Sequence, residues 1–175
     1  MRGYFGIGAE EISKPMNLGA LMRTAHAFGA SFFFTINAAP KVREAYNADT
    51  SRAFDALPYY PFASLEELRL PKGCQLVGVE LTDDAVELPR FKHPAAAAYV
   101  FGRERGDLSA ETQARCDHIV RIPTKFCLNV GLAGAIVMYD RLISVGGYPA
   151  RPIMPGGPPP DLAPVSWRAG RAPAE

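Results

Sequence analysis

The feature that most constrains this chain is an alternation. Short apolar runs rich in β-branched and aromatic residues are separated by segments whose apolar residues recur at helical spacing. The runs Tyr4–Ile7, Ser31–Ile36, Gln75–Glu80, Ala98–Phe101 and His118–Ile122 read as strands. Between the first two, Leu18, Leu21, Met22, Ala25 and Phe28 mark a helix over Asn17–Gly29, with Gly29 suited to the position just past the last turn. Ser64–Leu70 and Ser109–Arg115 read as short helices opened by serine caps, and Leu128–Gly146 as a longer one. Strands joined through helices pair in parallel. The pattern therefore predicts an α/β fold, a mostly parallel sheet with helices on both faces and ligand sites in the loops beyond the strands' carboxyl ends.

A chain of 175 residues holds about one domain. Seven of its 16 prolines fall between Pro149 and Pro164, beside Gly156 and Gly157, a composition that forbids regular helix or central strand. We therefore expect a folded domain over 1–148 and a Pro-rich C-terminal tail over 149–175. Hydrophobic residues at 48% and charged residues at 21% exclude a disordered body. A formal net charge of +1 excludes the global basic field of a general nucleic-acid binder, so any RNA site must be a local patch. Cys74, Cys116 and Cys127 are odd in number and form no C-x-x-C pair, which disfavours a disulfide framework and a zinc site. With no signal-peptide pattern and no membrane span, the expected location is cytoplasmic, without membrane partners.

Three polar clusters fall where an α/β sheet keeps its sites. The first is Asn17-Leu-Gly-Ala-Leu-Met-Arg23-Thr-Ala-His-Ala-Phe-Gly29, in which Asn17 can cap the helix, Gly19 allows close backbone approach, and Arg23 lies off the apolar stripe. Taken alone, Arg23 reads as a solvated surface arginine. The second is Phe101-Gly102-Arg103-Glu104-Arg105-Gly106-Asp107-Leu108-Ser109, leaving a strand and opening a helix. Its glycines let backbone approach a ligand, and a plain tight turn explains them as well. The third is Arg121-Ile-Pro-Thr-Lys-Phe-Cys-Leu-Asn-Val-Gly131. Here Pro123 stops the ladder, and Asn129 enters a helix that is otherwise apolar all round, the mark of a buried helix. Asn129 is either a cap or an amide aimed at a pocket, where it needs a partner.

Rival motifs fail on residues. Gly6-Ile-Gly8-Ala-Glu-Glu11 has Glu11 where a dinucleotide fingerprint needs its third glycine, and neither G-x-x-x-x-G-K-S/T nor H-E-x-x-H occurs. His26, His93 and His118 lack ligand spacing and read as structural or surface histidines, while Cys74 and Cys116 read as small apolar fillers.

In order and separation, the three clusters resemble the SpoU (TrmH-like) family of the SPOUT superfamily, S-adenosyl-L-methionine-dependent RNA 2′-O-ribose methyltransferases. The first resembles the N-x-G-x-x-x-R-x-A-x-x-F-G motif at every specified position. The second is similar to F-G-x-E-x-x-G-L through Phe101, Gly102 and Glu104, with Gly106 and Leu108 at a shifted spacing. The third looks like I-P…S-L-N-V-S through Ile122, Pro123, Leu128, Asn129 and Val130, with Cys127 and Gly131 where the family has serines.

The resemblance implies a SPOUT-like fold with a C-terminal trefoil knot, a homodimer with sites at its interface, and a minimal member whose first strand begins near Met1. It implies Arg23 as the catalytic residue, with Asn17 and Glu104 orienting it and the ribose and Asn129 holding the site together. The cofactor, S-adenosyl-L-methionine, would lie against Gly102, Ile122, Cys127 and Leu128, with Leu81 beside it. The substrate would be tRNA or rRNA, not DNA, gripped in a groove that draws on Lys14, Lys41, Arg43 and Arg52. Two rivals remain: a SPOUT-like RNA- or cofactor-binding protein without turnover, and a flavodoxin-like nucleotide-binding domain, which accounts for the alternation but not for the clusters.

Overall fold

Side chains alternate across the central strands as the pleat requires, and the two resulting apolar faces organise the molecule. A computed structural model of the chain describes residues 3–39, 56–103 and 106–146. Among these residues lie strands β1 (Tyr4–Glu10), β2 (Phe32–Ile36), β3 (Tyr59–Phe62), β4 (Gln75–Val79), β5 (Val86–Glu87), β6 (Ala96–Phe101) and β7 (His118–Arg121). The helices are α1 (Pro15–Ala27), α2 (Ala110–Arg115) and α3 (Val130–Val145). The strands form one sheet in the order β3-β2-β1-β6-β4-β7-β5, and every neighbouring pair is parallel. The expected α/β architecture is thus present. Glu104, Lys41, Arg43, Arg52 and the 149–175 tail lie outside the described residues.

On one face Ile7, Phe33, Val77 and Tyr99 meet Leu18, Leu21 and Met22 of α1 and Val137 and Met138 of α3. On the other, Phe34, Ile36, Leu76, Ala98 and Val100 meet Leu68 and Leu108, with Cys74 and Cys116 packed alongside as the expected fillers. Each large apolar side chain so buried contributes about 1.5–3 kcal/mol. Gly6 and Gly8 of β1 make room for aromatic neighbours: a Cβ on either would lie 2.2 or 2.4 Å from the rings of Phe32 and Phe34.

Helix α1 ends as Gly29 predicts. Gly29 has φ +75, its N–H donates to His26 O at 3.0 Å, and the Ala30 N–H donates to Ala25 O at 2.9 Å, the paired bonds of a Schellman ending. Its start differs from expectation. Pro15 occupies the first turn and Lys14 is the N-cap, so Asn17 sits inside the helix and does not cap it. Ser109 does cap α2, accepting from the Thr112 N–H at 3.1 Å. Buried Glu10, at the end of β1, accepts from Ser109 N–H at 2.8 Å, from Ser109 Oγ at 2.7 Å and from Thr112 Oγ1, so a carboxylate faces the positive start of α2.

Ser64–Leu70 is a turn, not the expected helix. Its carbonyls are claimed by guanidinium groups: Arg115 donates to Leu65 O and, at 2.7 Å, to Leu68 O, while Arg69 donates to Glu66 O and Leu68 O. So short a segment closes too few helical bonds to outbid those donors. Strands β3 and β5 were not expected; β3 carries Pro61 and lies at the sheet edge, where a missing donor is tolerated.

At the amino edge of the sheet a buried polar cluster ties α3 down. Arg141, 3% exposed, donates to Pro94 O at 2.6 Å, Ala95 O at 3.0 Å and Tyr4 O at 3.3 Å, and its guanidinium lies over the Phe5 ring at 5.3 Å. His93 bridges the Tyr99 hydroxyl at 2.6 Å and Asp140 Oδ2 at 2.9 Å. Burial pushes the Tyr99 hydroxyl up to about 12 and holds the His93 imidazole below its ordinary value, against the opposing pull of Asp140. His93 is therefore structural, as the sequence suggested, and His26 and His118 are exposed.

Candidate active site

The carboxyl ends of β4, β6 and β7 and the starts of α1 and α3 surround a cavity of about 480 Å³. All five residues expected at the cofactor, Leu81, Gly102, Ile122, Cys127 and Leu128, line it. Asn17 and Asn129 line it too, from helices far apart in sequence. Arg23 does not: it is exposed on α1 and is absent from the wall of its own chain's cavity.

Asn129 fulfils both readings open to it. Its Oδ1 accepts from the Gly131 N–H at 2.9 Å and so caps α3, while its Nδ2 donates to Asn17 Oδ1 at 3.0 Å. One side chain thereby fixes a helix start and joins two clusters. Gly131 makes this approach possible, since a Cβ there would lie 3.2 Å from Asn129 Oδ1 and 3.4 Å from the Ala20 Cβ. Gly134, one turn on, faces Leu21, whose Cδ1 would lie 2.3 Å from an added Cβ; α1 and α3 pack closely along this line.

Glu80, which sequence reasoning missed, organises the opposite wall. Its Oε1 accepts from the Leu81 N–H at 2.8 Å and its Oε2 from the Leu108 N–H at 2.7 Å, clamping the loop after β6 to the end of β4. Gly102 sits inside this clamp, where a Cβ would lie 2.9 Å from Leu108 N. The available signal was position, because Glu80 directly follows a strand at the sheet's carboxyl edge. Arg103 was missed for the opposite reason, since one arginine in a charged loop carries no pattern. It lines the cavity and pairs with Glu11, Nη1 to Oε2, at 2.9 Å. Gly106, the shifted glycine, lies against that guanidinium: a Cβ there would sit 2.4 Å from Arg103 Nε.

The helix carrying Asn129 is buried on one face only. Val130, Ala133, Val137 and Met138 are covered, whereas Leu132 is 61%, Ile136 39% and Tyr139 51% exposed, so the expectation of burial all round is half met within one chain. Among the described residues no helix is long and apolar enough to cross a membrane.

This arrangement matches known proteins along most of the chain. An uncharacterized tRNA/rRNA methyltransferase of Synechocystis sp. is 33% identical over 144 residues, covering 75% of this chain and 36% of the relative. The 23S rRNA (guanosine-2′-O-)-methyltransferase RlmB of Acinetobacter baylyi is 26% identical over 146 residues, covering 77% of this chain and 57% of the relative. This chain thus spans roughly a third to three-fifths of the length of these relatives. In fold, the SpoU methyltransferase AviRb from Streptomyces viridochromogenes in complex with AdoMet superposes with a TM-score of 0.73 at 22% identity, over 82% of this chain and 58% of that one. The SpoU rRNA Methylase family matches residues 5–139, nearly the whole span from β1 to α3, and the chain belongs to that family.

Proposed function

We propose that this chain is an enzyme that transfers a methyl group from S-adenosyl-L-methionine to a ribose 2′-hydroxyl of tRNA or rRNA. One observation carries the reading: Asn17, Gly102, Ile122, Leu128 and Asn129, from three separate stretches of sequence, meet at one cavity. Names of the relatives support the substrate class, and the AdoMet-bound structural neighbour supports the cofactor.

The residues present fit that cofactor. The cavity lies within the roughly 300–1,000 Å³ of small-molecule sites, and its wall combines apolar Val79, Leu81 and Phe101 with the closely packed backbone at Gly102. Gly102, Ile122, Cys127 and Leu128 would hold it, with Leu81 at the rim. When bound, S-adenosyl-L-methionine supplies an electrophilic methyl group on a sulfonium. The chain's part is positioning and charge. The Asn17–Asn129 pair orients the ribose, and in well-aligned systems such positioning is worth up to about 7–11 kcal/mol. Arg23 contributes a guanidinium, a planar fork of N–H donors bearing positive charge. Its role is that of a cation that grips the phosphate beside the target ribose and stabilises charge developing on the 2′-oxygen. Glu104 joins this set by resemblance.

Since Arg23 is absent from its own chain's cavity wall, we assign it to the site of a second copy. The exposed stripe Leu132, Ile136 and Tyr139 on α3, with Met16 77% exposed beside Asn17, supports a homodimer formed through this face. The finer topology follows the same reading: the segment from Ile122 to Asn129 crosses the carboxyl edge from β7 towards α1 and threads a trefoil knot. We assign methyl transfer to residues 1–148 and leave the Pro-rich sequence 149–175, which lies outside the described residues, out of that domain. Calorimetric titration with S-adenosylhomocysteine, followed by tritiated methyl incorporation into tRNA and separately into rRNA, tests the proposal. Binding with incorporation into one pool is the expected result. Binding without incorporation into either pool means an RNA- or cofactor-binding protein without turnover, and no binding sinks the reading.

A further inference from the structure

We propose that Arg103 is an RNA-positioning residue, stored on Glu11 in the free protein and handed to a backbone phosphate when RNA arrives. The proposal rests on the RNA methyltransferase reading of the cavity. Its basis is a small device at the cavity mouth. Arg103 leaves the carboxyl end of β6, and its side chain, 54% exposed, reaches across to Glu11 at the end of β1, 39% exposed, with Nη1 2.9 Å from Oε2. The other oxygen of the same carboxylate, Oε1, accepts from Asn37 Nδ2 at 3.3 Å.

Three features distinguish this contact from an ordinary surface ion pair. First, both partners of the Glu11 carboxylate come from strand ends at the ligand-binding edge, and Arg103 itself lines the cavity. Second, Glu11 and Asn37 both adopt positive φ, 49° in each case, and these are the two non-glycine residues with that conformation among those described. For glutamate this is an unfavourable backbone state, which the surrounding structure has to hold in place. It turns Glu11 out of the line of β1. Third, the guanidinium lies where a side chain of residue 106 would be, 2.4 Å from the place of a Gly106 Cβ. The loop after β6 thus keeps a seat for this arginine.

The pair's energetics suit a transfer. An exposed ion pair contributes little in water, so Glu11 holds the arginine's direction without holding it fast. A phosphodiester offers the same planar donor fork two oxygens and a full negative charge, and competes well for it.

The experiment measures binding of a mixture of unfractionated tRNA and fragmented rRNA against salt, beside calorimetry with S-adenosylhomocysteine, on the full chain. Arg103→Ala is expected to weaken RNA binding about tenfold and to lower the salt slope by about 0.7–0.9, the signature of one lost phosphate contact. Arg103→Lys should keep the slope and lose part of the affinity. Glu11→Gln, which releases the stored arginine, should tighten RNA binding by up to about fivefold. Gly106→Ala, which fills the seat, should weaken it. All four should bind S-adenosylhomocysteine like the unaltered chain. An unchanged affinity and slope for Arg103→Ala overturns the proposal, as does loss of S-adenosylhomocysteine binding in that variant, which would assign the arginine to the cofactor. An unaltered chain that binds S-adenosylhomocysteine but no RNA overturns this proposal and leaves the cofactor reading standing; a chain that binds neither removes both.

Discussion

Asn129 and Asn17 are joined side chain to side chain, Nδ2 to Oδ1 at 3.0 Å, although 112 positions separate them. The same Asn129 caps α3 through its Oδ1. Asn129→Asp separates the two duties, because it keeps the capping oxygen and removes the donor that meets Asn17. We expect methyl transfer to fall on the order of 10²-fold, the usual penalty for displacing a reacting group by about 1 Å. Stability should fall by only about 1 kcal/mol, a drop of roughly 2–4 °C in Tm. Single-turnover methylation and a thermal melt on one preparation check both.

Arg23 should act across the dimer. Arg23→Ala is expected to abolish turnover and spare S-adenosylhomocysteine binding, and Arg23→Lys to recover only part of the rate because it lacks the fork. Gly102→Val should abolish turnover differently, by blocking a cavity wall where even a Cβ meets Leu108 N at 2.9 Å. Mixed and re-equilibrated, the two inactive chains should regain about a quarter of full turnover, the share of one intact site in half of the dimers. No recovery on mixing would count against a shared site.

Ile136 tests the face itself. It is 39% exposed within one chain, so Ile136→Lys leaves the core of that chain untouched. Sedimentation should show the unaltered protein at twice the 19.0 kDa chain mass and the variant at the chain mass, with its melt retained and its methyl transfer lost.

His93 gives the protein an acid sensitivity of known sign. Burial lowers its folded-state value below the ordinary 6.5, although the Asp140 carboxylate opposes the shift. The unfolded chain therefore binds the proton first as pH falls. Stability from this group is full above about 6.5 and is lost below it, down towards the folded value. Melting temperature should decline from pH 7 to pH 5.5, and His93→Gln should flatten that part of the profile while lowering Tm throughout.

Periodicity and residue type exposed much of this architecture. The strands around Ile7, Phe34, Val77 and Val100 are buried on both faces and read as apolar runs, and Gly29 marked the end of α1 by the one backbone state it makes cheap. What stayed hidden depends on partners distant in sequence. The 64–70 turn is decided by Arg115, which takes its carbonyls, and β3 by its place at a sheet edge. At the site, Asn17 and Asn129 could be singled out individually, but their contact could not. Glu80 and Arg103 work through the groups facing them, Leu108 N–H and Glu11, which no local pattern announces.

The sheet order also governs how the molecule must assemble. Strand β1 is central, and its Tyr4 pairs with Ala96 of β6, whereas β2, its other neighbour, follows at once through α1. During synthesis the β1–α1–β2 unit can form early, but one edge of β1 stays open until most of the described chain has been made. Such long-range parallel pairing is slow, because the chain loses loop entropy before it gains contacts. Docking of α3 comes later still, since Arg141 binds the carbonyls of Tyr4 and Ala95 and therefore needs β1 and β6 already side by side. Among the described elements the cavity is thus completed only when α3 docks and brings Asn129 to Asn17.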